Sequence, residues 1–236
     1  MSNEFYAPGD QRAAKVNDLF ARIARRYDFL NDLQSFGLHR NWKRRVLELA
    51  GVKDGSRALD LCCGTGDIAF GLAKKGAETT GLDFSPQMLE VAAQRHLKSP
   101  NPKLKFIQGD AQNLPFADNQ FDAVTVGYGL RNLTSWERGV EEMARVARQG
   151  VVSFPNFGHW RHIGSLLAGR MPVSRTIPYQ WYDTPNIHLC TLKDFEILAA
   201  RVGLTITGRA VLADGRPVDV LPSLRATLAI YRFEAR

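Results

Sequence analysis

The densest chemistry in this chain lies between Leu59 and Asp67, which read Leu-Asp-Leu-Cys-Cys-Gly-Thr-Gly-Asp. A short apolar run passes into a glycine-rich turn and a helical pattern follows, so Asp60, Gly64, Thr65 and Gly66 fall where a strand gives way to a helix. Glycines there let the backbone turn sharply and approach a ligand with no Cβ in the way. The next apolar run ends in Gly81-Leu82-Asp83, which puts a carboxylate at a strand's carboxyl edge, where α/β nucleotide sites grip ribose hydroxyls. A third run ends in Gly109-Asp110-Ala111, able to offer an acid and a backbone N–H to an adenine ring. A carboxylate repels phosphate, so the set suits an adenosine ligand without phosphate. The dinucleotide fingerprint G-x-G-x-x-G lacks its third glycine, since Ala69 stands there. Taken alone, the first run also fits a tight strand–helix turn with no ligand.

These residues need a scaffold, and the hydrophobic pattern supplies one. Val16, Leu19, Phe20 and Ile23 recur at helical spacing, and a second helix over 39–50 carries Trp42, Val46 and Leu49, with Gly51 closing it. Strands are predicted over 57–63, 77–83, 104–109, 121–127 and 151–154. Between them helices are predicted over 66–75, from a Ser85 cap to 96, and over 136–148. A stretch punctuated by Gly and Pro runs to Pro185. Thr191 and Asp194 then open a helix as a capping box, Gly203 ends it, and strands over 204–212 and 225–233 finish the chain. Strands alternating with helices predict an α/β fold with a doubly wound, mainly parallel sheet. One domain spanning 1–236 is expected, with a helical cap over 1–50 and a Rossmann-like core over 55–236.

The totals narrow the class. The 236 residues are 44% hydrophobic and 23% charged, ordinary for a water-soluble globular chain. The sequence shows no apolar run long enough to span a bilayer, and residues 1–10 lack the apolar core of a secretory signal. Three cysteines make no disulfide framework, which suggests a reducing, cytoplasmic setting. The formal charge of +7 is spread in short clusters such as Arg25-Arg26 and Lys43-Arg44-Arg45. Solvated helix faces account for it, with an anionic membrane surface as the alternative; nucleic acid is not expected as a partner.

Asp60-x-x-x-Gly64-x-Gly66, Asp83 and Gly109-Asp110-Ala111 resemble the successive motifs of class I S-adenosylmethionine-dependent methyltransferases. The likeness tightens over residues 16–145. Arg26-Tyr27-Asp28, Asn31-Asp32, Gly37-Leu38-His39-Arg40, Cys62-Cys63-Gly64-Thr65-Gly66-Asp67, Leu114-Pro115-Phe116 and Gly127-Tyr128-Gly129-Leu130-Arg131-Asn132 resemble the UbiE/MenG group of quinone C-methyltransferases. That resemblance implies S-adenosylmethionine as cofactor and a prenylated or phytylated naphthoquinol as substrate, methylated on a ring carbon. By resemblance Thr65, Asp83, Asp110, Ala111 and Gly127 contact the cofactor; Asp60, Gly64 and Gly66 join them from the geometry of the turn.

After residue 145 the likeness changes. The family's Arg-Val-Leu-Lys-Pro-Gly-Gly turn is replaced by Arg145-Val146-Ala147-Arg148-Gln149-Gly150. Ser153-Phe154-Pro155-Asn156-Phe157-Gly158-His159-Trp160 and Trp181-Tyr182-Asp183-Thr184-Pro185-Asn186-Ile187-His188 resemble MetW proteins. These share the fold, and the resemblance implies an alternative: a partner of a homoserine acyltransferase in methionine biosynthesis.

Methyl transfer to a quinol carbon needs a deprotonated ring hydroxyl, hence a base or an acceptor. His39, Asp28 and Asp32 are candidates, each with a helix-start or capping role as the plain reading, and Tyr27 is a candidate pocket wall. Arg131 can stabilise a developing phenolate, or instead hold the amino-terminal helix by an ion pair. Cys62 and Cys63 are expected on opposite faces of a strand, and His159, His162 and His188 lack ligand spacing, so no metal site is expected. Phe154, Phe157, Trp160, Trp181 and Tyr182 suit core packing better than a substrate cavity. The amino-terminal helices with Lys43-Arg44-Arg45 are expected to cover the pocket and meet anionic headgroups, giving peripheral membrane contact.

Overall fold

The computed structural model describes residues 39–172 and 189–235. The helix around Val16 and the carboxylates Asp28 and Asp32, with Tyr27, lie outside those residues, as do Trp181 and Tyr182. The described elements run α1 (His39–Leu49), β1 (Arg57–Leu61), α2 (Asp67–Lys74), β2 (Glu78–Asp83), α3 (Pro86–Lys98), β3 (Leu104–Gln108), β4 (Phe121–Gly127) and a 3-10 turn (Gly129–Asn132). They continue with α4 (Trp136–Val146), β5 (Ala147–Pro155), α5 (Trp160–Leu167), α6 (Leu192–Arg201), β6 (Leu204–Ala213), β7 (Arg216–Pro217), α7 (Pro222–Arg225) and β8 (Leu228–Ala235).

The strands form one sheet in the order β3-β2-β1-β4-β5-β8-β6-β7. Strands β1 to β5 are parallel, and β8 enters antiparallel between β5 and β6. Parallel strands buried on both faces read as near-continuous apolar runs, and Ala123–Val126 in β4 is such a run. One face packs Val46 of α1, Ala50 just beyond it, and Ile68 and Leu72 of α2 on Ala58, Ala123, Val151 and Ile230. The other packs Val140 and Met143 of α4 and Phe195 of α6 on Leu59, Val124, Phe154, Tyr231 and Phe233. Burying each of these large side chains stabilises by about 1.5–3 kcal/mol. Phe154 is thus a core residue, stacked on Tyr231 at 5.9 Å, whereas Trp160 is exposed.

The doubly wound α/β prediction holds, with shifts at element ends that have physical causes. Strand β1 stops at Leu61, because Cys62 turns left-handed (φ 50). This corrects the expectation that Cys62 and Cys63 alternate across a strand; both belong to the turn. Helix α4 stops at Val146 and Ala147 already starts β5, two elements with no loop between them. Gly150 is required there, since a Cβ would lie 2.2 Å from the Phe233 ring. Thr191 and Asp194 form the expected capping box. Ser85 does not cap α3 with its side chain: its hydroxyl donates to Gln87 Oε1, and its own N–H goes to Asp83. The last strand, expected over 225–233, begins instead at Leu228, because residues 222–225 turn as α7.

Candidate active site

The carboxyl ends of β1, β2, β3 and β4 meet at one edge of the sheet, and the expected cofactor residues converge there. The turn after β1 is built on three left-handed residues: Cys62, Gly64 (φ 56) and Gly66 (φ 91). A Cβ on Gly66 would sit 2.9 Å from the Phe106 ring, so the position is closed to larger residues on two counts. Asp83 holds this turn: its Oδ2 accepts from Gly64 N at 2.7 Å and its Oδ1 from Ser85 N at 2.9 Å. Each oxygen keeps a second lone pair, so the carboxylate can take a ribose diol without giving up the turn. Burial pushes the Asp83 carboxyl up, opposed by the N–H groups of Ser85, Gly64 and Phe84. Thr65 is buried in the turn, and its carbonyl accepts from Arg95 Nη1 at 2.9 Å.

Asp60 is buried on the α1 side of the sheet. Its Oδ1 accepts from Thr125 Oγ1 at 2.7 Å, while Oδ2 is buried with no partner. Burial is the main reason its carboxyl is pushed up to about 7, against the hydrogen bonds from Thr125 and the Ala69 amide. A buried carboxylate oxygen without a donor is costly unless a cation or donor arrives. Burial, and then Asp83 and Asp60, push the Cys62 thiol well up, and burial with the same two carboxylates does so for Cys63, so both are neutral thiols.

At the third strand Asp110 Oδ1 accepts from Gln112 N at 2.9 Å, fixing the turn that brings Ala111 into the core. Gly127 ends β4, and a Cβ there would lie 2.6 Å from Ile68 Cδ1 and 3.3 Å from the Trp42 ring. Tyr128 follows with φ 62, its ring edge-on to Trp42 at 4.7 Å. Arg131, in the 3-10 turn, lies over that Tyr128 ring at 5.3 Å, and its Nε is buried without a partner. No carboxylate pairs with it among the described residues, so the ion-pair reading of Arg131 gains no support there. His39 is the first residue of α1, and its side chain is outside what is described.

Four contributions were missed in the sequence. Lys43 pairs with Asp67, whose other oxygen accepts from Arg95 Nη2 at 2.7 Å, so α1 and α3 are tied to the start of α2. Burial works against ionising Asp67, but these two cations outweigh it and hold the carboxyl below its usual value. Within the basic cluster Lys43 is engaged inward, while exposed Arg45 pairs with Glu48 at 2.7 Å and exposed Arg44 donates to Asn41 Oδ1. Arg145 clamps the Leu114–Asp118 loop, donating to Leu114 O, Phe116 O and Asp118 Oδ1 and braced by Glu142. Phe84, exposed beside Asp83, offers an aromatic face at the ribose end. Ser153 Oγ is buried without a partner level with Gly127. The i,i+3 spacing of Glu142 and Arg145 was visible; the Lys43–Asp67–Arg95 set depends on partners distant in sequence, and the placing of Phe84 and Ser153 on how the strands are buried.

The residues present suit S-adenosylmethionine: a diol acceptor in Asp83, an orphaned buried carboxylate oxygen in Asp60 for an ammonium group, and a glycine turn that leaves room between them. Fold and site together define a class I S-adenosylmethionine-dependent methyltransferase. A sequence profile of the ubiE/COQ5 methyltransferase family matches residues 9–156, and the chain belongs to that family. It is 40% identical over 224 residues to a demethylmenaquinone methyltransferase of Desulfitobacterium hafniense (strain Y51), covering 88% of each chain. It is 37% identical over 221 residues to a 2-phytyl-1,4-naphtoquinone methyltransferase of Nostoc sp., covering 85% of this chain and 95% of the relative. Among solved structures, magnesium protoporphyrin IX methyltransferase from Synechocystis PCC 6803, crystallised with bound SAH, superposes with a TM-score of 0.71 at 17% identity. That match covers 95% of this chain and all of the other, and it supports the fold alone.

Proposed function

We propose that this methyltransferase methylates a ring carbon of a prenylated or phytylated naphthoquinol, a demethylmenaquinol or demethylphylloquinol. The observation that carries the reading is the 40% identity to a demethylmenaquinone methyltransferase across 88% of the chain. The stretch matched includes residues beyond 156, among them those that resemble MetW proteins, which favours the quinol acceptor over an acyltransferase partner.

S-adenosylmethionine supplies an electrophilic methyl group on a sulfonium. The chain's part is to orient and to manage protons. Asp83 takes the ribose hydroxyls, Asp60 Oδ2 the ammonium, and Asp110 with Ala111 the adenine, while Thr65, Gly64, Gly66 and Gly127 shape the turn and the space above β4. Arg131, with its partnerless buried Nε, stabilises the quinol's phenolate oxygen, so that electron density moves to the adjacent ring carbon. That carbon takes the cofactor's methyl group in place of its hydrogen, while the chain's base accepts the hydroxyl proton and returns one to the oxygen as the ring carbon's proton is lost to solvent. His39 is the proposed base, with Asp28 and Asp32 the alternatives as base or as orienters. The working site is the cytoplasm, in peripheral contact with the membrane that holds the substrate.

The test is methyl transfer from labelled S-adenosylmethionine to a panel of reduced quinols. A methylated demethylnaphthoquinol supports the reading. A protein that binds the cofactor yet methylates no naphthoquinol overturns it. Arg131→Met should lower kcat by about 10²–10³ with cofactor affinity kept, as expected when one donor to a developing oxyanion is lost.

A further inference from the structure

Helix α5 faces the wrong way for a surface helix. Such helices bury their apolar stripe, yet His162 is the only buried residue of α5. Trp160 is 56% exposed and Leu167 85%, with Ile163, Leu166 and Met171 exposed beside them. The orientation is locked from beneath: His162 Nδ1 contacts Phe157 O at 3.3 Å, and its ring stacks on Phe157.

The root of α5 is joined to a second exposed apolar group. Asn156 is fully buried, donates to Ser223 O at 2.8 Å and Ala226 O at 2.7 Å, and accepts from Gly158 N at 3.0 Å. This ties the end of β5 to α7, ahead of which Val220 is 63% and Leu221 62% exposed. Leu221 is held at φ 48, ψ 53, a left-handed conformation that costs an aliphatic residue about 1–3 kcal/mol. Strain that keeps a leucine in solvent marks a surface made to be covered.

Charge says what covers it. Residues 156–172 contain Arg161 and Arg170 and no acidic residue, and residues 214–225 add exposed Arg216 and Arg225 against exposed Asp214 and Asp219, so the surface carries a net positive charge. Arg161 lies over the Trp160 ring at 5.4 Å. A second copy of the chain would bring up a surface of the same net sign. Apolar and aromatic side chains rimmed by arginines match the acyl–headgroup boundary of an anionic bilayer.

We propose that the α5–α7 surface docks on anionic membrane, with Trp160, Ile163, Leu167, Val220 and Leu221 entering the headgroup boundary and Arg161, Arg170 and Arg225 meeting phosphates. The surface lies at the carboxyl edge of the sheet, the edge that carries the cofactor turn, so docking opens the site toward lipid. The inference rests on the quinol reading for its purpose, and on Asn156, α5 and Leu221 for its geometry.

The test is co-sedimentation of the full chain with phosphatidylglycerol-containing and pure phosphatidylcholine vesicles, for the wild type, L167E and V220E. The wild type should favour the anionic vesicles. Each variant should bind at least about tenfold less, since a buried apolar side chain is replaced by a charge. Both should keep the wild-type Tm and full activity on a water-soluble, short-tailed demethylnaphthoquinol, and lose activity on the long-tailed quinol in vesicles. Equal binding by wild type and both variants overturns the proposal. So does a wild type that binds no anionic vesicles, a dimer that L167E dissociates without affecting vesicle binding, or vesicle binding that appears only once residues 173–188 are deleted. Vesicle binding without methylation of any quinol leaves the surface standing and removes the substrate reading. Methylation of the soluble quinol without vesicle binding does the reverse.

Discussion

Asp60→Asn isolates the cost of the buried carboxylate. The carboxyl moves from 3.8 to about 7 on folding, mainly through burial. A raised acid weakens the ionised fold: its contribution is intact below about pH 4, is lost as pH rises toward 7, and levels off above that. The whole gap is worth about 4 kcal/mol, and about 3 kcal/mol of it falls between about pH 5 and about pH 8. For a chain of this size that is a fall in Tm of about 6–12 °C across the interval. Asparagine cannot ionise, so the Asp60→Asn protein should be flatter than wild type by that amount. Its absolute stability shifts at every pH, because one of two buried carboxylate oxygens becomes an NH2, so the difference in slope is the quantity to read. S-adenosylmethionine should flatten the wild-type curve by bringing an ammonium to Oδ2, and its affinity should climb with pH in wild type only. Thermal melts at matched ionic strength, with and without cofactor, decide it. Parallel wild-type and Asp60→Asn curves would refute the assignment of the strain to Asp60.

Asp83→Ala removes the acceptor for Gly64 N and Ser85 N as well as the diol contact, so calorimetry should show S-adenosylmethionine affinity lower by at least about thirtyfold. Gly129→Ala places a Cβ 2.4 Å from Cys62 Cβ in the strained cofactor turn; it should cost about 1–3 kcal/mol in denaturant melts and weaken the cofactor more than the fold. Arg145→Lys keeps a charge but not the fork that reaches Leu114 O, Phe116 O and Asp118, and should lower Tm by about 4–8 °C. An unchanged Tm would show that the loop holds without the clamp.

Much of this was legible because it is local. A strand buried on both faces is mostly apolar, and glycine marks a left-handed turn, so β1, the cofactor turn and Asp83 follow from the order of residue types. The capping box at Thr191 is equally local. What escaped depends on partners far along the chain. Ser85 looked like a cap by its position, but its hydroxyl donates to Gln87 Oε1 instead of accepting from the helix. Lys43 looked like a surface cation until folding set it against Asp67. The limits of β1 and α4 hang on Cys62 turning left-handed and on the Phe233 ring needing a glycine at 150, neither of which periodicity records. The candidate bases Asp28 and Asp32 lie outside the described residues, so their part rests on resemblance.

The position of β8 bears on how the molecule is made. The last strand in sequence fills the middle of the sheet, with Ile230, Tyr231 and Phe233 fully buried between β5 and β6. During synthesis β1 to β5 can pair as they emerge, but β6 has only the two-residue β7 beside it until residues 228–235 arrive. Two unsatisfied strand edges, on β5 and β6, therefore wait side by side for one segment. Losing that segment would do more than shorten the protein: it would leave a slot shaped for a strand, open to the same segment of another chain.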